Sequence, residues 1–403
     1  MHSPISPIVA RPRDPTTPRD LRLDLFRGVA LWLIFLDHIP SNLVSWITIR
    51  NYGFSDATEI FIFISGYTAA FVYGKVMVER GFVISSARIL RRAWQIYVAH
   101  IFLFAIYLAE ISYVARSFDN PLFAEEMNIL DFLKQPDITI IQALLLKFKP
   151  VNMDVLPLYI ILMMMFPPIL WLLLRNATLA LAVSAGVYAV ALMFGMNLPA
   201  YPEGDWFFNP FAWQLLFVFG AWCALGGADR LTMVLSSRAT LAIATAYLLV
   251  AFYIALSWHL PAVMSPRVTQ WLEDVIYPID KTNLDALRFA HFLALATVTV
   301  WFIPRTWPPL NSRWLHPAIL CGQHSLEIFC LGVFLAFAGH FAMVEISGAL
   351  WMQVLISVVG ILTMIAAAAL IAWYKRADER RAGGVSGGAR QKPANADLAG
   401  GEA

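Results

Sequence analysis

The sequence predicts an all-α, polytopic membrane protein with about ten transmembrane helices and both termini in the cytoplasm. Three observations predict it. The 403 residues are 59% hydrophobic and only 14% charged, against roughly 45–50% and 25% in soluble domains. One soluble core cannot hide that much apolar surface, whereas a bilayer removes the need to hide it. Apolar stretches long enough to span recur near 24–40, 57–78, 93–113, 153–174, 177–196, 210–228, 239–258, 284–303, 318–340 and 346–374. With the N-terminus inside, the cytoplasmic side carries 19 of the 29 Lys and Arg and the outer side seven, the asymmetry of the positive-inside rule.

The elements follow in order. Residues 1–22, rich in Pro and Arg, lack the apolar stretch and cleavage site of a secretory signal and read as a cytoplasmic tail. Residues 23–375 form the membrane domain. Residues 376–403, rich in Gly, Ala and Arg, read as a disordered cytoplasmic tail. Two long outer loops are expected. One, at 114–152, holds an amphipathic piece from Ile138 to Phe148. The other, at 259–283, carries Trp271, Glu273, Asp274, Tyr277 and Asp280 and would suit a sugar or the bilayer interface. Cys223, Cys321 and Cys330 lie in apolar runs without metal or disulfide spacing, so no bound metal is expected. The net charge of +2 is too small to point to nucleic acid.

The densest chemistry is Asp24-Leu25-Phe26-Arg27-Gly28 followed by Asp37-His38-Ile39-Pro40. Ionisable groups inside a span are expensive and usually functional. Arg27 and His38 are 11 residues apart, which is about 20° from three full turns, so they share a helix face about 16 Å apart. The second helix descends from outside with Glu59 near its outer end, at a depth close to His38. Imidazole plus carboxylate is the pairing that holds a general base in one tautomer. Asp37 and Asp56 are rival partners. Further along that helix, Gly66, Ala70 and Gly74 form a small-residue stripe that lets a neighbour approach closely.

Arg88, Arg91 and Arg92 follow on the cytoplasmic side, where forked guanidinium groups suit phosphate oxygens or serve as a topology signal. Late polar residues are candidates for substrate contact: Asn209, Trp213 and Gln214, the pair Arg288 and His291, and the pair His324 and Glu327. Polar contacts between helices are the competing explanation for each. His100, His259, His316 and His340 have no evident partner in the sequence.

Arg27, ten residues, then His38, with Glu59 to Tyr67 and Arg88-x-x-Arg91, resembles the acyltransferase-3 type membrane acyltransferases. A closer resemblance is to the OpgC (MdoC) family. It rests on Asp24 to Gly28, Phe35 to Pro40, Gly53 to Asp56, Asp154 to Tyr159, Phe208 to Gln214, Lys281 to Asp285 with Arg288 and His291, and Gly322 to Glu327. The resemblance implies succinyl transfer onto osmoregulated periplasmic glucans in the bacterial inner membrane. Acyl-CoA, succinyl-CoA in particular, would be a co-substrate, and no tightly bound cofactor is implied. It also implies that His38 is catalytic with Arg27 as its partner, and that Arg88 and Arg91 lie near the CoA phosphates. Many acyltransferase-3 proteins have a late-helix His where Gly332 stands here.

Two other functions share these features. A transporter or flippase for a polar glycan or small solute would show the same spans and buried charges, although no internal repeat of the kind common in transporters is visible. A related acyltransferase could act on another polysaccharide or an amine.

Overall fold

The computed structural model describes residues 20–118, 120, 122–259, 271 and 275–388. Among them the regular structure is helical, with a single isolated β-bridge between Pro199 and Asp205. The main helices are α1 (Leu21–Asp37), α2 (Ala57–Ser117), α3 (Val155–Arg175), α4 (Ala177–Phe194), α5 (Pro210–Trp222), α6 (Arg238–His259), α7 (Ala286–Phe302), α8 (His316–Gln323), α9 (Ser325–Glu345) and α10 (Leu350–Gly388).

Seven helices among the described residues are long and apolar enough to cross a membrane. About ten such stretches are expected from the sequence, and the difference has structural causes. The stretches at 57–78 and 93–113 belong to one 61-residue element, α2. α1 and α7 have 17 residues each. The stretch at 318–340 is broken at His324 (φ −112°, ψ 39°) into α8 and α9, and α9 alone still counts among the seven.

A straight helix of 61 residues would be about 90 Å long, three times the hydrocarbon thickness of about 30 Å. α2 instead folds back at Gly81 (φ 84°, ψ 173°), a backbone state that glycine adopts without steric cost. The Ser85 hydroxyl then donates to the Tyr73 carbonyl across the bend at 3.0 Å. Twelve residues along a continuous helix would separate these two by about 18 Å.

Lipid tails are as apolar as leucine, so the helices associate through close packing. Two glycine pairs supply it. Gly28 on α1 lies against the Ala318 carbonyl, and Gly322 on α8 lies against the Asp24 carbonyl. Gly66 on α2 lies against the Phe217 carbonyl, while Gly220 on α5 lies against that of Phe63. The small-residue stripe thus does what its spacing predicts: Gly66 faces α5, Ala70 is fully buried and Gly74 meets Leu225. Gly332 faces Phe35 and Met364, where α9 packs on α1 and α10.

The expected amphipathic piece forms a short helix, Pro136–Leu144, that buries Thr139 and Ala143 and exposes Ile138, Ile140, Ile141 and Leu144. At the other end, α10 runs to Gly388, past the point where the tail was expected to begin. The intervening Lys375-Arg376-Ala377-Asp378-Glu379-Arg380-Arg381 is rich in strong helix formers. Most of the N-terminal tail, Glu273 and Asp274 of the 259–283 loop, and residues 389–403 lie outside the described residues, as does the side chain of His259.

Candidate functional site

The C-terminal end of α1 and the N-terminal ends of α2 and α7 carry a polar cluster. α2 begins with a capping box: the Asp56 carboxylate accepts from the Thr58 backbone N–H at 2.8 Å, and Glu59 Oε2 accepts from that of Asp56 at 2.9 Å. The same two carboxylates meet cations. Asp56 Oδ2 accepts from Lys281 Nζ at 2.7 Å and from Arg288 Nη2 at 3.1 Å. Glu59 Oε1 accepts from Arg288 Nε at 2.8 Å and Nη2 at 2.7 Å. Glu59 is fully buried and Arg288 nearly so. Both Glu59 oxygens are therefore committed to α7 and to its own helix cap.

His38 is the C-cap of α1. Its carbonyl accepts from Asn152 Nδ2 at 3.1 Å, and its Nδ1 is buried with no hydrogen-bond partner among the described residues. The charges of Lys281, Asp56 and Arg50 all act on its imidazole, so Asp56 is the candidate carboxylate in its electrostatic field. Asp37, the preceding residue, accepts from Thr48 Oγ1 at 2.8 Å. Asn152 holds its contact from a left-handed backbone (φ 71°), a conformation found where the surroundings over-determine it.

The loop that carries Asn152 adds two more ionisable groups. Burial draws the Lys149 ammonium down to about 8 and pushes the Asp154 carboxyl up to about 6. Lys149 also sits 4.0 Å from the centre of the Trp206 ring.

Arg27 lies three turns inward from His38 on α1. Its Nη2 donates to the Thr68 hydroxyl at 2.7 Å and to the Ile64 carbonyl at 3.1 Å. Around it α1, both arms of α2, α3 and α9 enclose a cavity of about 150 Å³. Its polar lining is Arg27, Ser65, Thr68, Tyr73, Arg92, Tyr159 and Ser325. On α2 it extends from Phe61 to Tyr73, about 18 Å of helix axis. Its outer end, at Phe61 and Leu156, is two residues along each helix from Glu59 and Asp154. The cavity thus runs from near that cluster to Arg92 on the second arm of α2.

Arg92 is the arginine of the expected clamp that lines this cavity. Arg88 and Arg91 are exposed, with Arg88 close enough for its charge to act on Tyr73. The remaining candidates lie in the scaffold. Asn209 caps α5 and donates to the Met196 carbonyl and Asn283 Oδ1, each at 2.7 Å. Trp213 Nε1 donates to the Lys281 and Thr282 carbonyls at 3.1 Å. Gln214 exchanges bonds with Ser184 on α4 at 2.6 and 2.7 Å. His291 packs against Gly53, and its Nδ1 meets the Ser55 hydroxyl at 2.7 Å. His324 and Glu327 both face Lys375 of α10, at 3.2 and 3.9 Å. His340 does have a partner, Glu126, at 2.7 Å. Among the described residues no group of His, Cys, Asp and Glu is arranged to hold a metal ion.

Sequence reasoning about candidate sites passed over Arg50, Asn152, Lys149 and Lys281. All four sit in connecting segments, where no helical periodicity shows which way a side chain faces.

No curated protein and no solved structure matches the chain. The family model described as OpgC protein matches residues 19–376, a segment that contains α1 to α9, most of α10 and every candidate residue above. The chain belongs to the OpgC family, and that membership points to a membrane acyltransferase.

Proposed function

We propose that the protein transfers an acyl group, succinyl in the first instance, from cytoplasmic acyl-CoA to hydroxyls of a periplasmic glucan, by a mechanism of the acyltransferase-3 type. In this reading the chain crosses the bacterial inner membrane ten times with both tails inside. The two arms of α2 each cross once, and α1 and α7 cross as short helices. The observation that carries the proposal is the cavity running from Arg92 past Arg27 towards the cluster around His38. Donor and acceptor lie on opposite sides of the membrane. A narrow polar passage is what a pantetheine arm needs to present its thioester near the outer face.

Arg92 and the neighbouring Arg88 supply cations for the CoA phosphates at the inner end. His38, its Nδ1 lacking a hydrogen-bond partner among the described residues, acts as general base on the sugar hydroxyl. The hydroxyl oxygen attacks the thioester carbonyl, the C–S bond breaks, and the proton taken by the imidazole leaves with the CoA thiol. The negative charge of Asp56, which acts on the imidazole, stabilises the imidazolium that forms. Arg27, fixed by Thr68 and Ile64, lines the passage along which the acyl chain would lie.

The test is transfer of label from succinyl-CoA to glucan by the purified protein, without any ion gradient. His38→Ala and Arg27→Ala are each expected to abolish transfer and leave membrane insertion intact. Full activity in either variant overturns the site. Glucan movement across a vesicle membrane without consumption of acyl-CoA would favour a transporter instead.

A further inference from the structure

The cations of the outer cluster are almost all committed. Lys281 is bound to Asp56 and Arg288 to both Asp56 and Glu59. Lys149 stacks over Trp206 and donates to the Leu146 carbonyl at 3.3 Å. Arg50 differs from them. It is exposed, and no hydrogen bond or ion pair joins its guanidinium to any described residue. Its charge nonetheless acts on both Asp37 and His38.

The backbone that carries Arg50 is fixed. It sits on a single 3-10 turn, Ile49–Asn51. The preceding residue, Thr48, is fully buried, and its hydroxyl donates to Asp37, the neighbour of His38, at 2.8 Å. Asn51 closes the turn from the other side, with Nδ2 donating to the Ser45 carbonyl at 2.8 Å and to Thr48 Oγ1 at 3.3 Å. The turn is thus tied to the residue preceding the catalytic candidate, while the long side chain is left unbound. That arrangement suits a ligand carrying its own anion.

We infer that Arg50 is a specificity residue that holds the free carboxylate of a dicarboxylic acyl group while its thioester end faces His38. The inference rests on the acyltransferase reading above and adds to it the residue that selects the acyl group. A carboxylate a few bonds from the thioester separates succinyl from acetyl or propionyl, and an unbound guanidinium whose charge reaches the imidazole is a group that can sense it. An anionic substituent on the glucan would offer the same chemistry from the acceptor side.

The experiment compares succinyl-CoA, acetyl-CoA and propionyl-CoA as donors to an unsubstituted glucan, in the full-length wild-type protein, Arg50→Gln and Arg50→Lys. Arg50→Gln is expected to lower the ratio of kcat/KM for succinyl to that for acetyl or propionyl roughly 10- to 100-fold, the range of one charge-assisted hydrogen bond. Arg50→Lys should retain part of the succinyl activity. An equal loss for all three donors, or no loss for any, overturns the inference. So does a wild-type preference for the neutral donors. Repeating the series with a glucan bearing anionic groups separates the two sources: a loss confined to that acceptor places the anion on the sugar and overturns the donor assignment. A wild-type protein that transfers no acyl group from any donor overturns the acyltransferase reading itself.

Discussion

Removal of the Arg288 guanidinium should unfold the outer cluster before it affects chemistry. In Arg288→Met the fully buried Glu59 loses both of its charge-assisted bonds, at 2.7 and 2.8 Å, and keeps only the backbone N–H of Asp56. Asp56 retains Lys281 at 2.7 Å, so the loss falls mainly on Glu59. Breaking a buried pair by removing one partner costs about 3–5 kcal/mol, because an uncompensated charge remains. Removing both charges does not leave that penalty. The double variant Glu59→Gln/Arg288→Met should therefore regain part of the loss, with a coupling energy of about 1.5–3 kcal/mol. The assay is chemical unfolding of wild type, both single variants and the double variant in one detergent. If the two single effects add to within about 0.5 kcal/mol, Glu59 is not held by Arg288. A role for it beside His38 would then return.

Other predictions follow from the geometry. Arg92→Gln should raise the KM for acyl-CoA clearly more than Arg91→Gln, since Arg92 lines the cavity and Arg91 is exposed; steady-state kinetics with varied donor checks this. Gly66→Leu should prevent α2 and α5 from meeting, because a side chain there collides with the Phe217 backbone; folded yield in detergent should collapse, whereas Gly186→Leu, where nothing lies within 4 Å, should be tolerated. The depressed Lys149 sets a pH dependence. Its folded value of about 8 lies below the ordinary lysine value of 10.5, so between these the unfolded chain binds more protons and stability rises with pH. Lys149→Met should flatten that rise in unfolding measurements from about pH 8 to pH 10.5.

The helices were legible because their signal is local. Long apolar runs need no partner to announce themselves. The stripe of Gly66, Ala70 and Gly74 likewise announced a close neighbour, though not that it is α5. Charge partnerships were less legible. Glu59 was expected beside His38 from matching depth, yet its partner Arg288 lies 229 residues away, and sequence spacing says nothing about pairs so distant. Asn209, Trp213 and Gln214 are polar residues in an apolar stretch, which marks them as important without separating substrate contact from bonds to α4 and to the segment before α7. The arginine cluster was visible as a group, but which member turns inward depends on the phase of the second arm of α2, and Gly81 sets that phase.

That dependence makes the bend a register device. The two arms meet without a loop between them, so there is no slack to absorb a change in length. One residue inserted just after Gly81 would rotate everything beyond it by about 100°. Arg92 would swing away from its cavity, and an outward-facing neighbour would take its place. Insertions in connecting segments such as 303–315 have no comparable lever on the cavity. Length at this turn should be under far tighter constraint than the chemical identity of the exposed residues that flank it.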